Sequence, residues 1–262
     1  MTFASILNDL NNLLLLTIND LRVVNCPIII TIQKKSLKHT RLESGGRMSI
    51  FQHDLLVVGS GLSGQRAALE GMRAGLNTAI LSKVYPVRSH SCAAQGGINA
   101  ALNPDDSIES HGYDTVKGSD YLGDQDAIEI FAKEAPQDVL ELENMGVPFN
   151  RHPDGQIGSR PFGGASYPRA CFIADITGQA LLHVLYEQLM KAKIQVYEEW
   201  RMTSLIVEDG ECRGVIAMDL RDQEVHIIQA KAVILATGGL GQVFAPTTNA
   251  LVCTGDGMSL AY

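Results

Sequence analysis

The chain has 262 residues, 45% of them hydrophobic, and a formal charge of −8; this is enough apolar material for one large globular domain or two small ones. An acidic balance argues against a nucleic-acid partner, which needs lysine and arginine gathered on one face. The five cysteines, Cys26, Cys92, Cys171, Cys212 and Cys253, show no regular spacing. They therefore offer no disulfide framework, zinc module or iron-sulfur cluster, and fit a reducing compartment.

The first 47 residues belong to no single element. The apolar patches Leu13–Leu16 and Ile28–Ile30 are interrupted by Asp20, Arg22, Asn25 and Pro27, so neither approaches the roughly 20 apolar residues of a membrane helix. No secretory signal pattern is present, and Asp9 and Asp20 speak against a transit peptide. Residues 1–47 are expected to be either a poorly ordered arm or an upstream extension of a reading frame that starts at Met48. One domain is then expected over 48–262.

From His53 the pattern tightens. Leu55–Val58 reads as a short buried strand ending on Gly59. The loop Gly59-Ser60-Gly61-Leu62-Ser63-Gly64 opens a helix over Gln65–Ala74, with Ala67, Ala68, Leu69 and Met72 at helical spacing and Gly75 as its cap. Thr78–Leu81 is the next strand. Strand, glycine loop, helix and strand in this order make a Gly-x-Gly-x-x-Gly diphosphate loop: Gly59 for the turn, Gly61 for backbone approach, Gly64 for helix packing. The second strand ends in Ser82-Lys83, where an acidic residue often meets the ribose, so ribose binding falls to other groups.

Next come Arg88-Ser89-His90-Ser91 and then Ala94-Gln95-Gly96-Gly97, an imidazole ahead of a glycine pair that lets backbone come close to a flat ligand. The region from Ile108 to Asn150 reads as mainly helical, with Ala127, Ile130, Phe131, Val139, Leu140 and Leu142 forming a stripe to be buried against the sheet. Asp120, Asp124 and Asp126 lack the glutamate that an EF-hand requires, and no metal site is expected. Gln195–Val207, Gly214–Leu220 and Glu224–Ala230 suggest an antiparallel meander. Ala232–Ala236 is then a separate buried strand ending at Thr237-Gly238-Gly239.

These stretches, together with Tyr113–Asp120, Gly123–Ala127, Arg160-Pro161-Phe162-Gly163-Gly164, Thr177-Gly178, Leu181-Leu182-His183 and Thr254-Gly255-Asp256-Gly257, resemble the flavoprotein subunit of succinate dehydrogenase and quinol:fumarate reductase over His53–Tyr262. The resemblance implies an α/β fold: a Rossmann-like, glutathione-reductase-like FAD-binding domain with a parallel sheet and an antiparallel meander, incomplete at its C-terminus and without the family's capping domain. It implies FAD bound covalently through His90. The other cofactor contacts it implies are Gly59, Ser60, Gly61, Leu62, Ser63 and Gly64; Ser82, Lys83, Arg88, Ser89, Ser91, Ala94, Gln95, Gly96 and Gly97; backbone at Met202; and Ala236, Thr237, Gly238 and Asp256. His183 is expected to pack near the cofactor domain.

In the family the residues that grip the dicarboxylate lie downstream of the position matching Tyr262, so no catalytic residue is assigned here and this stretch alone is expected to have little activity. The resemblance further implies interconversion of succinate and fumarate, an iron-sulfur partner subunit, a membrane anchor, and a peripheral place on the cytoplasmic face of a bacterial inner membrane. The short Phe162–Ala174 stretch leaves the direction of the reaction open. Three alternatives stand beside this reading: L-aspartate oxidase or a soluble fumarate reductase with noncovalent FAD, which lacks the histidine; a truncated flavin-binding module without chemistry; and an NAD-binding Rossmann protein.

Overall fold

The computed structural model describes residues 28–31 and 48–262. In chain order its elements are β1 (Ile28–Thr31), β2 (Ile50–Val58), α1 (Leu62–Arg73), β3 (Thr78–Ser82), β4 (Ile98–Asn99), α2 (Ile108–Gly118), α3 (Gln125–Met145), β5 (Ser159–Arg160), β6 (Ala170–Cys171), α4 (Thr177–Lys191), β7 (Gln195–Glu198), β8 (Trp200–Glu208), β9 (Glu211–Asp219), β10 (Val225–Leu235) and α5 (Asp256–Ala261). Short 3-10 turns cover Pro86–Arg88 and His90–Ala93. Apart from β1, the expectation of a poorly ordered arm over residues 1–47 lies outside the described residues.

Ser91–Leu185 forms one compact unit; the chain before it, to His90, and after it, Tyr186–Tyr262, forms the other. The sheet unit holds seven strands in the order β7-β3-β2-β10-β9-β8, with β1 antiparallel to the C-terminal half of β10. β2 lies parallel to both β3 and β10, and β3 parallel to β7. The Leu55–Val58 end of β2 and all of β3 are buried, as strands covered on both faces must be. The core gathers Leu56, Val58, Leu81, Trp200, Val215, Ile228 and Val233. Phe51, Tyr197 and Trp200 pack together in tilted and T-shaped contacts, with ring centroids 5.0 to 5.8 Å apart.

Three sequence expectations need correction. Helix α1 starts at Leu62, three residues before the expected Gln65, because Gly61 is already its N-cap. The meander is β8-β9-β10, whereas Gln195–Glu198 is a separate parallel strand, cut from β8 by Glu199 at φ 60°. Glu224–Ala230 and Ala232–Ala236 are a single strand, β10. Its first half pairs with β9, and it pairs with β2 along nearly its whole length.

In the other unit β4, β6 and β5 form a small antiparallel sheet, and α2 packs on α3. Ser107 caps α2 by accepting the Ser110 N–H at 3.0 Å, and Asp124 caps α3 by accepting the Ala127 N–H at 3.2 Å. The expected stripe on α3 is only partly the buried one. Ala132, Ala135 and Val139, at i, i+3 and i+7, are buried, while Ile130, Phe131 and Leu140 are exposed. Small residues win this face because α2 approaches closely at Gly112, where an added Cβ would stand 4.0 Å from that of Ala132.

Candidate cofactor site

β2 ends in the glycine loop, and packing dictates the loop's shape. Gly59 has φ +113°, and a Cβ there would overlap the Ala236 carbonyl at the end of neighbouring β10. A Cβ on Gly64 would overlap the Gly59 carbonyl, so α1 lies against its own loop. Gly61, at φ −67° and ψ −177°, has a conformation open to any residue. The fold therefore demands glycine at 59 and 64, whereas at 61 the absent side chain serves whatever comes near the backbone. No side chain caps α1 and no acidic residue stands in its first turn, so neither offsets the positive end of its dipole, which suits an anion.

Buried polar groups brace the loop from within. Ser82 donates from Oγ to the Val84 carbonyl at 2.6 Å, so in the 2.5 Å contact between the Ser60 and Ser82 hydroxyls Ser60 is the donor. Gln65, fully buried, donates to the Ser60 carbonyl at 2.9 Å.

At the end of β3 the structure supplies the acid that the sequence lacks there. Lys83 Nζ donates to Asp256 Oδ2 at 2.6 Å, Thr254 Oγ1 at 2.7 Å and the Val252 carbonyl at 3.1 Å. Asp256, first residue of α5, thus reaches the strand end from far along the chain. Burial pushes its carboxyl upward, but the bonds from Lys83 and Thr254 and the charges of Lys83 and Arg201 outweigh it and hold it below the usual carboxylate range. Nothing in the local sequence announces this pair.

Of the other expected cofactor residues in the sheet unit, Met202 has a buried side chain in β8, leaving only its backbone to offer. Ala236 donates to the Val58 carbonyl at 2.7 Å, and Thr237-Gly238 follows as an open turn with Gly238 at φ +73°. Arg88 is exposed and Ser89 keeps a buried hydroxyl without a partner. The His90 ring is half-buried. Its Nδ1 accepts the Ala250 N–H at a long 3.4 Å, and among the described residues Nε2 has no hydrogen-bond partner.

In the other unit Ala94 and Gln95 are exposed, and Gly96 and Gly97 half-buried. Gly97 sits at φ +123°, where a Cβ would meet the Cys171 carbonyl of β6 at 2.7 Å. A Cβ on Gly96 would press on the Phe162 ring at 2.8 Å. Arg160, in a run the sequence singled out but assigned no role, donates to the carbonyls of Gln95 and Gly96. His183 is exposed on α4, whose Leu181, Leu182 and Leu185 are buried.

Among the described residues Asp222, Glu224 and His226 bring three possible metal-ligating atoms within 4.8 Å of one another. His226 Nδ1 accepts the Ser49 N–H at 3.2 Å, so the neutral ring carries its proton on Nε2 and presents a donor, not a ligand, to the carboxylates. Among the same residues no helix is long and apolar enough to cross a membrane.

Residues 54–262 match the family model for the FAD binding domain. The chain is 50% identical over 225 residues to the succinate dehydrogenase flavoprotein subunit of Rickettsia conorii, and 47% identical over 214 residues to the fumarate reductase flavoprotein subunit of Mycobacterium tuberculosis. These alignments cover 81% and 80% of the chain but 38% and 37% of the relatives, so the chain spans well under half their length. A structure of a variant of Escherichia coli quinol fumarate reductase FrdA superposes with a TM-score of 0.79 at 41% identity, over 82% of this chain and 37% of that one. Mycobacterium smegmatis Sdh1 gives 0.77 at 35% identity, over 82% of this chain and 38% of its own. The glycine loop, the Gly-Gly segment and these likenesses agree: the chain belongs to the FAD-binding domain family and is a homologue of the flavoprotein subunits of succinate dehydrogenase and fumarate reductase over their N-terminal FAD-binding part.

Proposed function

We propose that this chain is the FAD-holding part of a flavoprotein subunit that interconverts succinate and fumarate, and that FAD is attached through His90. The observation that carries the tether is the imidazole itself: it stands on the turns that follow β3, with Nδ1 turned to the Ala250 backbone and Nε2 unpartnered among the described residues. An α1 N-terminus with no side-chain cap and no first-turn acid, set on close-packed glycines, fits a dinucleotide diphosphate. Gly59 to Gly64 would hold the diphosphate. Lys83 and Asp256 would frame the ribose end, with Met202 offering backbone and Ala236 to Gly238 closing the wall.

Bound FAD supplies a hydride acceptor for an unactivated dicarboxylate carbon, which calls for a high reduction potential; the chain's part is to orient the ring and surround it with hydrogen bonds and charge. In this reading electrons pass to an iron-sulfur subunit, and a membrane anchor holds the assembly on the cytoplasmic face of a bacterial inner membrane. Those duties fall to other subunits.

The test is to load the chain with FAD, precipitate it in acid and measure flavin fluorescence on the polypeptide. Wild type should keep its fluorescence, and His90→Ala should bind FAD yet release it to the supernatant. Full release from wild type refutes the tether and favours the noncovalent relatives. Failure to take up any FAD refutes the cofactor reading itself.

A further inference from the structure

Gln95, Gly96 and Gly97 are pinned by one side chain. Arg160, in β5, donates from Nη2 to the Gln95 carbonyl at 2.6 Å and to the Gly96 carbonyl at 2.8 Å, and from Nε to the Gly96 carbonyl at 3.1 Å. Its guanidinium carbon lies 4.4 Å from the Phe172 ring centroid, so the ring backs the fork on one face. A fork of donors that meets two successive carbonyls fixes both peptide planes at once, which a point-like ammonium cannot do.

The geometry of the peptide bond then sets the direction of two donors. Across a trans peptide the C=O and the following N–H point opposite ways. With the Gln95 and Gly96 carbonyls turned to Arg160, the N–H groups of Gly96 and Gly97 turn away from it. Neither N–H finds an acceptor among the described residues. Two adjacent backbone donors with a cation behind their carbonyls form a receptor for an electron-rich edge, and each peptide is further polarised by the charge it accepts from.

We infer that Arg160 is a positioning residue for the flavin: it aims the Gly96 and Gly97 amides at the ring and, through them and its own charge, stabilises the reduced ring over the oxidised one. This rests on the FAD reading above. Nothing in Arg160 itself touches the cofactor in this scheme; the amides do. The sign follows from charge, since reduction makes the ring more electron-rich and a fixed cation with aligned donors favours that form.

The experiment measures the reduction potential of the bound flavin by dye equilibration in the FAD-loaded chain, for wild type, Arg160→Met and Arg160→Lys. Arg160→Met should lower the two-electron reduction equilibrium constant about tenfold, which is about 30 mV. Arg160→Lys keeps the charge but not the fork and should fall between the two. A wild-type potential in either variant overturns the inference, and the lysine variant decides alone if the methionine variant does not fold. If wild type itself takes up no FAD, the cofactor reading has failed and this inference with it; if wild type loads and the potentials are equal, only the role of Arg160 has failed.

Discussion

Arg169→Met should be the most damaging single change in the unit formed by Ser91–Leu185. The Arg169 side chain is 1% exposed, and its two carboxylate partners, Asp106 and Asp114, are 0% and 8% exposed. Nε and Nη2 grip both Asp106 oxygens at 2.8 Å, Nη1 stands 2.9 Å from Asp114 Oδ2, and Nη2 reaches Ser110 Oγ at 3.2 Å. Methionine fills similar volume but leaves two buried carboxylates facing no cation. Breaking a buried pair from one side costs about 3–5 kcal/mol, a large part of a domain's whole stability.

Burial pushes the Asp114 carboxyl upward, and the Ser166 hydrogen bonds and the Arg169 charge outweigh it, so in wild type it lies below its ordinary 3.8. That contribution is present above pH 3.8 and lost as pH falls through the folded value. Without Arg169 only the Ser166 hydrogen bonds oppose burial, so the folded value rises from its wild-type position. The deficit from the lost pairing is therefore full while Asp114 is ionised and should shrink as the carboxyl is protonated on acidification. Urea denaturation followed by hydrogen exchange of peptides spanning residues 95–120 reads this directly. A loss under about 1 kcal/mol at neutral pH, or a deficit that grows in acid, would refute the argument.

Two further outcomes are expected. Burial lowers His111 below its ordinary 6.5, and its Nδ1 is buried without a partner. The contribution of a neutral His111 is therefore full above pH 6.5 and is lost as pH falls through the depressed folded value. Thermal melts between pH 7.5 and 5 should show this slope, and His111→Gln should flatten it; an unchanged slope sinks the assignment. The two roles of the glycine loop also separate by mutation: Gly64→Ala, which drives a Cβ into the Gly59 carbonyl, should cost about 1–3 kcal/mol of stability, whereas Gly61→Ala should melt like wild type and lose affinity in an FAD titration. Equal melting losses in both would show that the fold, not the ligand, requires Gly61.

What the sequence made legible was local. β2, the glycine loop, α1 and β3 follow one another within a single stretch, and each announces itself through a buried apolar run, a helical spacing or a capping glycine. The same holds for the long helices between Ile108 and Met145, although the face of α3 did not, since whether Phe131 or Ala132 is buried depends on how near α2 comes. Pairings across the chain were invisible. Lys83 read as a missing acid until Asp256 met it 173 positions later. β10 read as two strands because one stretch serves three partners, β9 along its first half, β1 along its second and β2 along nearly all of it. Arg160 was visible as part of a motif, but its target lies 64 and 65 positions upstream, and no spacing rule reaches that far.

The two arginines answer one structural problem. β4, β5 and β6 have two residues each, too few for a backbone ladder to hold a sheet together. Side chains take over. Arg169, beside β6, ties that strand to Asp106 and to Asp114 of α2 while its own carbonyl accepts the Ala100 N–H at 3.0 Å, just past β4. Arg160, at the end of β5, takes the carbonyls of Gln95 and Gly96, just before β4. The segment that runs from Gln95 to Ala100 is thus held at both ends by arginines from the two other strands, one acting through its side chain and one through its backbone. Such anchoring is directional where hydrophobic packing is not, and it fixes peptide planes as well as positions. The proposed presentation of two amides at a fixed angle needs that property: replacing Arg160 should free the Gln95 end directly, whereas replacing Arg169 keeps the carbonyl that holds Ala100 and should loosen that end only by releasing Arg169 from Asp106 and Asp114.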